Sequence, residues 1–311
     1  MNSTTQDLFS QLERRGYRGR IVPIQHLHDL QEEIEQHHRQ GLFDEEFYQE
    51  RLAWFDFRPP DSVPEARSLI IVAVPRPQTQ VTFTWNGETR PLILPPTYVG
   101  YDATRQQIED LVARILASAG FHVARTALPL KLLAVRSGLG EYGRNNICYV
   151  PGMASFHQLV AVYSNLPCQE DHWREAQMMA ACQNCQACLK HCPTGAISSD
   201  RFLLHAERCI VFHNERPNDR PFPAWIDPSW YNCLVGCMHC QRNCPQDRDV
   251  LGWFEGNEEF SHEETARLLD GVPLDQLFAA TVEKLKRLDL AESVDILPRN
   301  LGVFFNARSR Q

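Results

Sequence analysis

The sequence predicts an α+β fold with an α/β domain, a cysteine-rich domain and a short helical tail. Over the first 170 residues, short apolar runs alternate with amphipathic stretches, as strands and helices do in α/β domains. From residue 176 to 250 the composition changes to Cys and Pro, and beyond Trp253 leucines return at helical spacing. We therefore predict domains at 1–175, 176–255 and 256–311.

The first elements follow from spacing and composition. Leu27, Leu30 and Ile34 keep helical spacing in a polar stretch. Residues 68–75 (SLIIVAVP) form a continuous, β-branched apolar run, which predicts a buried strand. Residues 76–101 are rich in Pro and Thr, and we expect a long loop there that is functional or mobile.

The clearest helix is predicted over 103–119, where apolar residues form one stripe and Gly120 follows. Beyond it, the pattern predicts a strand over 121–124, a helix over 128–136 and a strand over 159–163. Together these segments complete the predicted α/β domain.

Composition excludes several functional classes. Apolar residues make up 43% and charged residues 23%, which is ordinary for a soluble protein. The net charge of −8 disfavours a large nucleic-acid surface, and no apolar run is long enough to span a bilayer. Residues 1–10 lack the features of a signal peptide. We expect a cytoplasmic protein with no membrane partner.

The cysteines contain most of the functional information. Nine of the eleven lie between Cys182 and Cys244, which is unusual in a reducing compartment unless they bind metal or do redox chemistry. One run reads C-x2-C-x2-C-x3-C-P from Cys182 to Pro193, and matches the bacterial ferredoxin motif. A second run, C-x2-C-x3-C-P from Cys237 to Pro245, repeats its later part. The sequence therefore predicts two [4Fe–4S] clusters and electron transfer.

In this motif the last cysteine of a run ligates the other cluster. The predicted ligands are Cys182, Cys185, Cys188 and Cys244 for cluster 1, and Cys192, Cys237, Cys240 and either Cys209 or Cys233 for cluster 2. Cys209 is favoured, because a helix over 198–208 would deliver it and Cys233 is one residue out of the regular spacing. Zinc is the competing interpretation, but zinc sites close with four ligands and need no proline turns.

A glycine-rich loop is the second informative stretch. Gly138, Gly140 and Gly143 fall within six residues, which allows left-handed turns and close backbone approach to a flat or bulky group. The loop is not a dinucleotide fingerprint, because it follows a predicted helix and does not lead from a strand into a helix. A tight connection between a helix and a strand would also explain it.

The order of these features resembles a known family. The segment EARSLII (65–71), the loop GLGEYGRN (138–145) and the two cysteine runs together resemble the epoxyqueuosine reductases and the related reductive dehalogenases over roughly residues 60–250. The resemblance implies a nitroreductase-like α/β domain that binds cobalamin, and it supports Cys209 as a ligand. The cofactor contacts that it implies are Gly138, Gly140, Gly143, Arg144 and Asn145.

The chain departs from that family where a proton donor is expected. The family has an acidic residue shortly before the glycine loop, whereas residues 124–127 (ARTA) contain no carboxylate. A reductase of this kind needs a proton donor. The candidates are Glu141, which replaces the family's usual Trp, together with Tyr142, Tyr101 and Tyr98.

The leading hypothesis is a cobalamin-dependent reductase in which electrons pass through two [4Fe–4S] clusters to cobalt. We expect a small-molecule substrate and an external donor such as ferredoxin or flavodoxin, while the acidic charge and missing carboxylate disfavour tRNA. One alternative is a non-catalytic corrinoid-handling or electron-transfer protein. Others are a true epoxyqueuosine (tRNA) reductase and a two-cluster electron carrier without cobalamin.

Overall fold

The computed structural model describes residues 3–306, so the last residues of the predicted tail, 307–311, lie outside the described residues. The helices are α1 (Ser3–Glu13), α2 (His26–Arg39), α3 (Glu45–Arg51), α4 (Tyr101–Ala117), α5 (Leu130–Arg136), α6 (Ala187–His191), α7 (Ile210–Asn214), α8 (His239–Arg242), α9 (His262–Leu269), α10 (Ala279–Arg287) and α11 (Leu297–Asn306). The strands are β1 (Arg18–Pro23), β2 (Ser68–Pro75), β3 (Gln78–Trp85), β4 (Glu88–Leu94), β5 (Val123–Arg125), β6 (Glu141–Tyr142), β7 (Cys148–Tyr149), β8 (His157–Ser164) and β9 (Phe254–Phe260). Across residues 3–306, no helix combines the length and apolarity needed to cross a bilayer.

The chain folds into two compact units that alternate along the sequence. The first contains the residues up to Pro75, Asp102–Gln186 and Ile197–His205. The second contains Arg76–Tyr101, Ala187–Ala196 and the residues from Ala206 onward. The domain boundaries predicted from the sequence stay a prediction.

The first unit is built on an antiparallel sheet in the order β1-β2-β8-β5. Leu69 and Ile71 of β2 pack in a core with residues of α2 and α5. Ile70 and Val72 pack in a separate core with residues of α1 and α4. Because helices cover both faces of the sheet, every residue of β2 before Pro75 is buried, which explains its uninterrupted apolar run.

Several predicted elements of this unit are confirmed. Residues 68–75 form β2, the long helix is α4 and the helix predicted over 128–136 is α5. The apolar stripe of α4 is buried, and Gly120 adopts a left-handed φ of 79° just beyond the end of this helix. The strand predicted over 121–124 forms two residues later, as β5.

The loop predicted over 76–101 was wrong in its first part. Residues 78–94 form the hairpin β3–β4, closed by Asn86 and Gly87 at positive φ values of 48° and 80°. An Asn-Gly pair between alternating polar and apolar residues is a strong hairpin signal. Two of the β-branched threonines that suggested a loop, Thr82 and Thr84, alternate with the buried Val81 and Phe83 along β3.

The second unit contains this hairpin in a sheet of order β4-β3-β9, in which β9 is parallel to β3. Phe83 and Phe260 stack at 4.7 Å in its core, which also contains residues of α9 and α11. A capping box of Ser261 and Glu264 begins α9. The helices predicted beyond Trp253 are therefore present, but a strand that the sequence did not predict precedes them.

The prediction of a helix over 198–208 was also wrong, because only a short 3₁₀ turn, Ala206–Arg208, forms there. The side chain of Asn146 donates to Phe202 O at 2.9 Å and accepts from the Leu204 N–H at 2.6 Å. These bonds use backbone groups that a helix would pair internally, and they hold the segment in a non-helical conformation.

Candidate iron–sulfur centre

The cysteines lie on short helices and turns, as ligands of a cluster would. Cys182 ends a 3₁₀ turn, Cys188 lies in α6 and Cys240 lies in α8. Cys182 and Cys188 are buried, and the other predicted ligands are half-buried. Cys182 and Cys185 belong to the first unit, and the remaining predicted ligands to the second.

The two motifs use the same local structure. Helices α6 and α8 pack against each other within the second unit, and each holds a cysteine followed four residues later by Cys-Pro. Pro193 and Pro245 lie just beyond the helix ends, where a proline cannot extend the helix. The repeat that the sequence shows is therefore a repeat of structure as well.

Cys209, Cys233 and Cys240 lie close to Cys237. Loss of solvation is the main cause that raises the pKa of the Cys237 thiol well above its ordinary value, and the thiols of these three neighbours add to the shift. Such a thiol ionises only beside a compensating cation, which the iron of a cluster would supply. The donor set therefore fits an iron–sulfur cluster, but the choice between Cys209 and Cys233 stays a prediction.

Backbone around Cys237 is fixed by side chains of the second unit. Asn214 donates to Gly236 O at 2.7 Å and accepts from the Gly236 N–H at 3.1 Å. Asn300 donates to Leu234 O at 2.9 Å. Gly236 has a φ of 76°, and a Cβ atom there would lie 2.7 Å from the Tyr98 ring. These contacts fix the backbone beside Cys237, as the groups around metal ligands usually do.

Tyr98 packs against this part of the second unit and donates a hydrogen bond to Glu215. Burial is the main cause that raises its pKa well above the ordinary value, and the charge of Glu215 adds to the shift. Cys233 and Cys209 contribute further. Tyr98 is therefore better suited to pack beside these cysteines than to donate a proton to a substrate.

Two glycines of the glycine loop (residues 138–146) lie against other protein atoms and leave no room for a side chain. A Cβ atom on Gly140 would lie 2.7 Å from Tyr149 O and 2.8 Å from Cys148 Sγ. At Gly143 it would lie 2.5 Å from Asn145 Oδ1. These two glycines are thus required by the close packing of the loop on β7 and, at Gly143, on Asn145.

Polar side chains of the loop are also engaged. Asn145 donates to the Tyr149 hydroxyl at 3.1 Å and accepts from the Ile147 N–H at 3.3 Å. Arg144 donates to carbonyl oxygens of the cysteine turn at residues 182–185. Gly138, at a φ of 74°, differs from these residues because it borders a cavity.

That cavity lies within the first unit and has a volume of about 520 Å³. Its lining includes Gly138, Arg18, Arg20, His172, Trp173 and Arg174. The volume is in the range of small-molecule sites. The basic residues on its wall suit an anionic group.

Of the other three candidate proton donors, two belong to the first unit and one to the second. Glu141 and Tyr142 are adjacent in β6 of the first unit, whereas Tyr101 belongs to the second. Burial is the main cause that raises the pKa of Tyr142 far above its ordinary value, so its phenol is a weak acid at neutral pH. Glu141, which is half-buried, is the one carboxylate among the candidates.

Where the family has its acidic residue, the chain has only basic and neutral side chains. Arg125 is exposed and pairs with Glu109 at 2.8 Å. Asp56 pairs through its backbone with Ala127. A hydrogen bond from the Arg58 side chain lowers the pKa of Asp56, so this carboxylate stays ionised and is a poor proton donor.

His26, at the start of α2, makes contacts that the sequence did not indicate. The ring is buried, with Nδ1 2.6 Å from Asp29 Oδ2 and Nε2 2.8 Å from Asp171 Oδ2. It also stacks on Trp173 at 4.2 Å. Asp29, three residues later in the helix, was the only local signal.

Comparisons with known proteins agree with the cysteine pattern. Residues 181–247 match the 4Fe-4S double cluster binding domain. This match covers all of the predicted ligands from Cys182 to Cys244. Within residues 3–306, no three His, Cys, Asp or Glu side chains are grouped as they would be around a single metal ion.

Relatives of known sequence are epoxyqueuosine reductases. The enzyme of Staphylococcus aureus is 26% identical over 71% of this chain and 58% of its own length. The enzyme of Pseudomonas aeruginosa is 28% identical over 58% of this chain and 48% of its own length. The chain thus matches less than two thirds of the length of these relatives.

Solved structures show the same fold. The epoxyqueuosine reductase of Streptococcus thermophilus has a TM-score of 0.67 and 17% identity, with 97% of this chain and 80% of that one covered. An epoxyqueuosine reductase with an epoxyqueuosine-modified tRNA-Tyr stem loop has a TM-score of 0.58 and 21% identity, with 79% and 66% covered. The chain therefore has the fold of the epoxyqueuosine reductases and contains a match to the double cluster binding domain.

Proposed function

We propose that the chain is an iron–sulfur oxidoreductase that uses cobalamin to reduce a substrate, with electrons supplied by an external donor such as ferredoxin or flavodoxin. The observation that supports this most strongly is the paired cysteine run within residues 181–247, in a chain with the fold of the epoxyqueuosine reductases. Two clusters in one small domain are typical of electron transfer between partners.

The proposed ligands of cluster 1 are Cys182, Cys185, Cys188 and Cys244, and those of cluster 2 are Cys192, Cys209, Cys237 and Cys240. The low solvation of the Cys237 thiol supports a resident cluster, because that thiol needs a cation to ionise. Bound clusters would supply one-electron transfer. The chain's own residues hold the turns, exclude water and fix the backbone around them.

Cobalamin is proposed from the family resemblance. Bound cobalamin would supply a reducible cobalt ion. In the glycine loop, Arg144 and Asn145 direct their side chains to other protein groups, so the loop is better suited to contact a flat ligand through its backbone. Gly138 fits such a contact best, because it borders the cavity of the first unit. Glu141 is the proposed proton donor.

An anaerobic absorbance titration with cob(II)alamin tests the cofactor. We expect saturable spectral changes in the reconstituted protein, and weaker binding in Gly138→Val than in the matched variant Gly120→Val. Gly120 also has a positive φ, but a Cβ atom there meets nothing within 4 Å. Wild-type protein with intact clusters and no spectral change would contradict the cobalamin proposal while leaving the cluster proposal intact.

For the substrate, we favour a small molecule, because residues 124–127 contain no carboxylate and the net charge is −8. The second candidate is tRNA, which is favoured by the likeness to a reductase crystallised with a tRNA stem loop. Turnover assays with small epoxides, halogenated compounds and an epoxyqueuosine-modified stem loop separate the two. Reduction of the stem loop alone would overturn the small-molecule proposal, and cobalamin binding without any turnover would favour a corrinoid-handling protein.

A further inference from the structure

We propose that Arg144 is a positioning residue that holds the first cysteine turn (residues 182–185) and raises the reduction potential of the cluster which this turn ligates. The inference rests on the proposed clusters, but on neither cobalamin nor the substrate. It gives the glycine loop a role in the iron–sulfur centre that is separate from contact with a cofactor.

Arg144 binds three backbone carbonyls of the first cysteine turn. Its Nη2 donates to Cys182 O at 2.9 Å and to Gln183 O at 3.3 Å, and its Nε donates to Cys185 O at 3.2 Å. A guanidinium can bind several acceptors at once because its donors lie in a fixed plane. A lysine at this position would keep the charge but lose this geometry.

The backbone that supports Arg144 is itself fixed. Tyr142 in β6 donates from its N–H to Gln177 O at 3.0 Å and accepts from the Met179 N–H at 2.8 Å. Gly143 donates to Ile147 O at 2.9 Å. The glycine loop therefore contacts the chain both just before Cys182 and within the first cysteine turn, so the two segments are held in one register.

These contacts also orient the peptides of the turn. In a trans peptide the C=O and the next residue's N–H point in opposite directions. Because Arg144 binds the carbonyls of Gln183 and Cys185, the N–H groups of Asn184 and Gln186 point away from the guanidinium. Backbone amides that donate to cluster sulfurs raise the potential, so we expect Arg144 to act through the orientation of these peptides.

Charge acts in the same direction. A cluster gains one negative charge when it is reduced, and a nearby cation stabilises the reduced state. Arg144 is half-buried, so water screens its charge less than that of an exposed arginine. Both effects predict that the wild-type residue raises the potential.

Redox titration followed by electron paramagnetic resonance tests this in the anaerobically reconstituted full chain. The variants are Arg144→Gln, Arg144→Lys and the control Arg174→Gln. Arg174 also donates to the glycine loop, at Gly140 O, and its contacts to backbone carbonyls lie outside the first cysteine turn. Iron content is measured in every sample.

We expect Arg144→Gln to shift the midpoint potential of one cluster to a more negative value and to leave the other unchanged. Arg144→Lys should show a smaller shift, and Arg174→Gln none. Loss of the iron of one cluster in Arg144→Gln alone would also support the proposal. Unchanged potentials in Arg144→Gln, or equal shifts in Arg144→Gln and Arg174→Gln, would overturn it. Wild-type protein without iron would instead refute the proposed clusters.

Discussion

At Gly236 of the second unit, backbone conformation and packing both exclude a side chain. Its φ is 76°, and the Tyr98 ring occupies the space of a Cβ atom. The amide of Asn214 then pairs with both backbone groups of Gly236, next to Cys237. Two side chains distant in sequence thus determine the path of the backbone at a proposed ligand.

Gly236→Ala should therefore lower the free energy of unfolding by about 3 kcal/mol, from left-handed strain and overpacking together. Gly256→Ala is the control, because Gly256 also has a positive φ, but its Cβ atom would meet only Thr79 Cγ2 at an ordinary 3.5 Å. We expect a loss of about 1 kcal/mol there. Urea unfolding measures both, and equal losses would show that Tyr98 does not restrict this position.

His157 makes stability depend on pH. Burial lowers its pKa to about 4 from the ordinary 6.5, so the folded protein holds the ring neutral. Below pH 6.5 the unfolded chain binds a proton at this histidine and the folded chain does not. The contribution of neutral His157 to stability is therefore fully present above that pH. It falls by up to about 1.4 kcal/mol per pH unit as the pH decreases toward 4.

Replacing this residue, as in His157→Gln, should flatten that dependence. The measurement is the urea midpoint at pH 7.5 and at pH 5.5 for the wild type and the variant. If both proteins lost stability equally between these two pH values, another group would have to be responsible.

At the residue scale, the sequence predicted the cysteines but not their surroundings. Spacing predicts the ligands because a cluster imposes short, regular intervals on the chain. It could not show that Asn214 contacts Gly236 or that Arg144 contacts the first cysteine turn, because those partners are 22 and about 40 residues away. The contact between His26 and Asp171 could not be predicted for the same reason, since Asp171 is distant in sequence.

At the scale of elements, hydrophobic periodicity predicted the strand and the helix whose buried faces the structure shows. The uninterrupted apolar run of β2 and the single stripe of α4 both correspond to buried faces. The predictions for two segments were wrong, for different reasons. The β3–β4 hairpin was missed although Asn86-Gly87 marks its turn, while the helix over 198–208 is prevented by a distant side chain, Asn146.

The core of the second unit depends on strands that come from separate parts of the chain. Phe83 in β3 stacks on Phe260 in β9, and both rings are buried. Phe83→Ala should lower the free energy of unfolding by about 3–5 kcal/mol, because it leaves a cavity between the paired strands. Phe254→Ala is the matched control at the exposed start of β9, where we expect less than about 1 kcal/mol. Comparable losses in the two variants would contradict this description of the core.

For the whole molecule, the sequence predicted the fold class and the double cluster domain, but neither the two compact units nor the substrate. The double cluster domain follows from the spacing of a few residues, and the α+β fold follows from periodicity. The division into two units could not be predicted, because segments 76–101 and 187–196 leave one unit for the other. The substrate depends on side chains around a cavity, and residue types alone do not identify those.

The central claim is that residues 181–247 hold two [4Fe–4S] clusters. Iron, acid-labile sulfide and zinc should be counted in protein purified without oxygen, together with the variant Cys237→Ser and the control Cys168→Ser. Cys168 lies outside the matched segment. We predict about eight irons and eight sulfides per chain in the wild type and in Cys168→Ser, and about half in Cys237→Ser. A colourless protein that contains zinc and no sulfide would contradict the account.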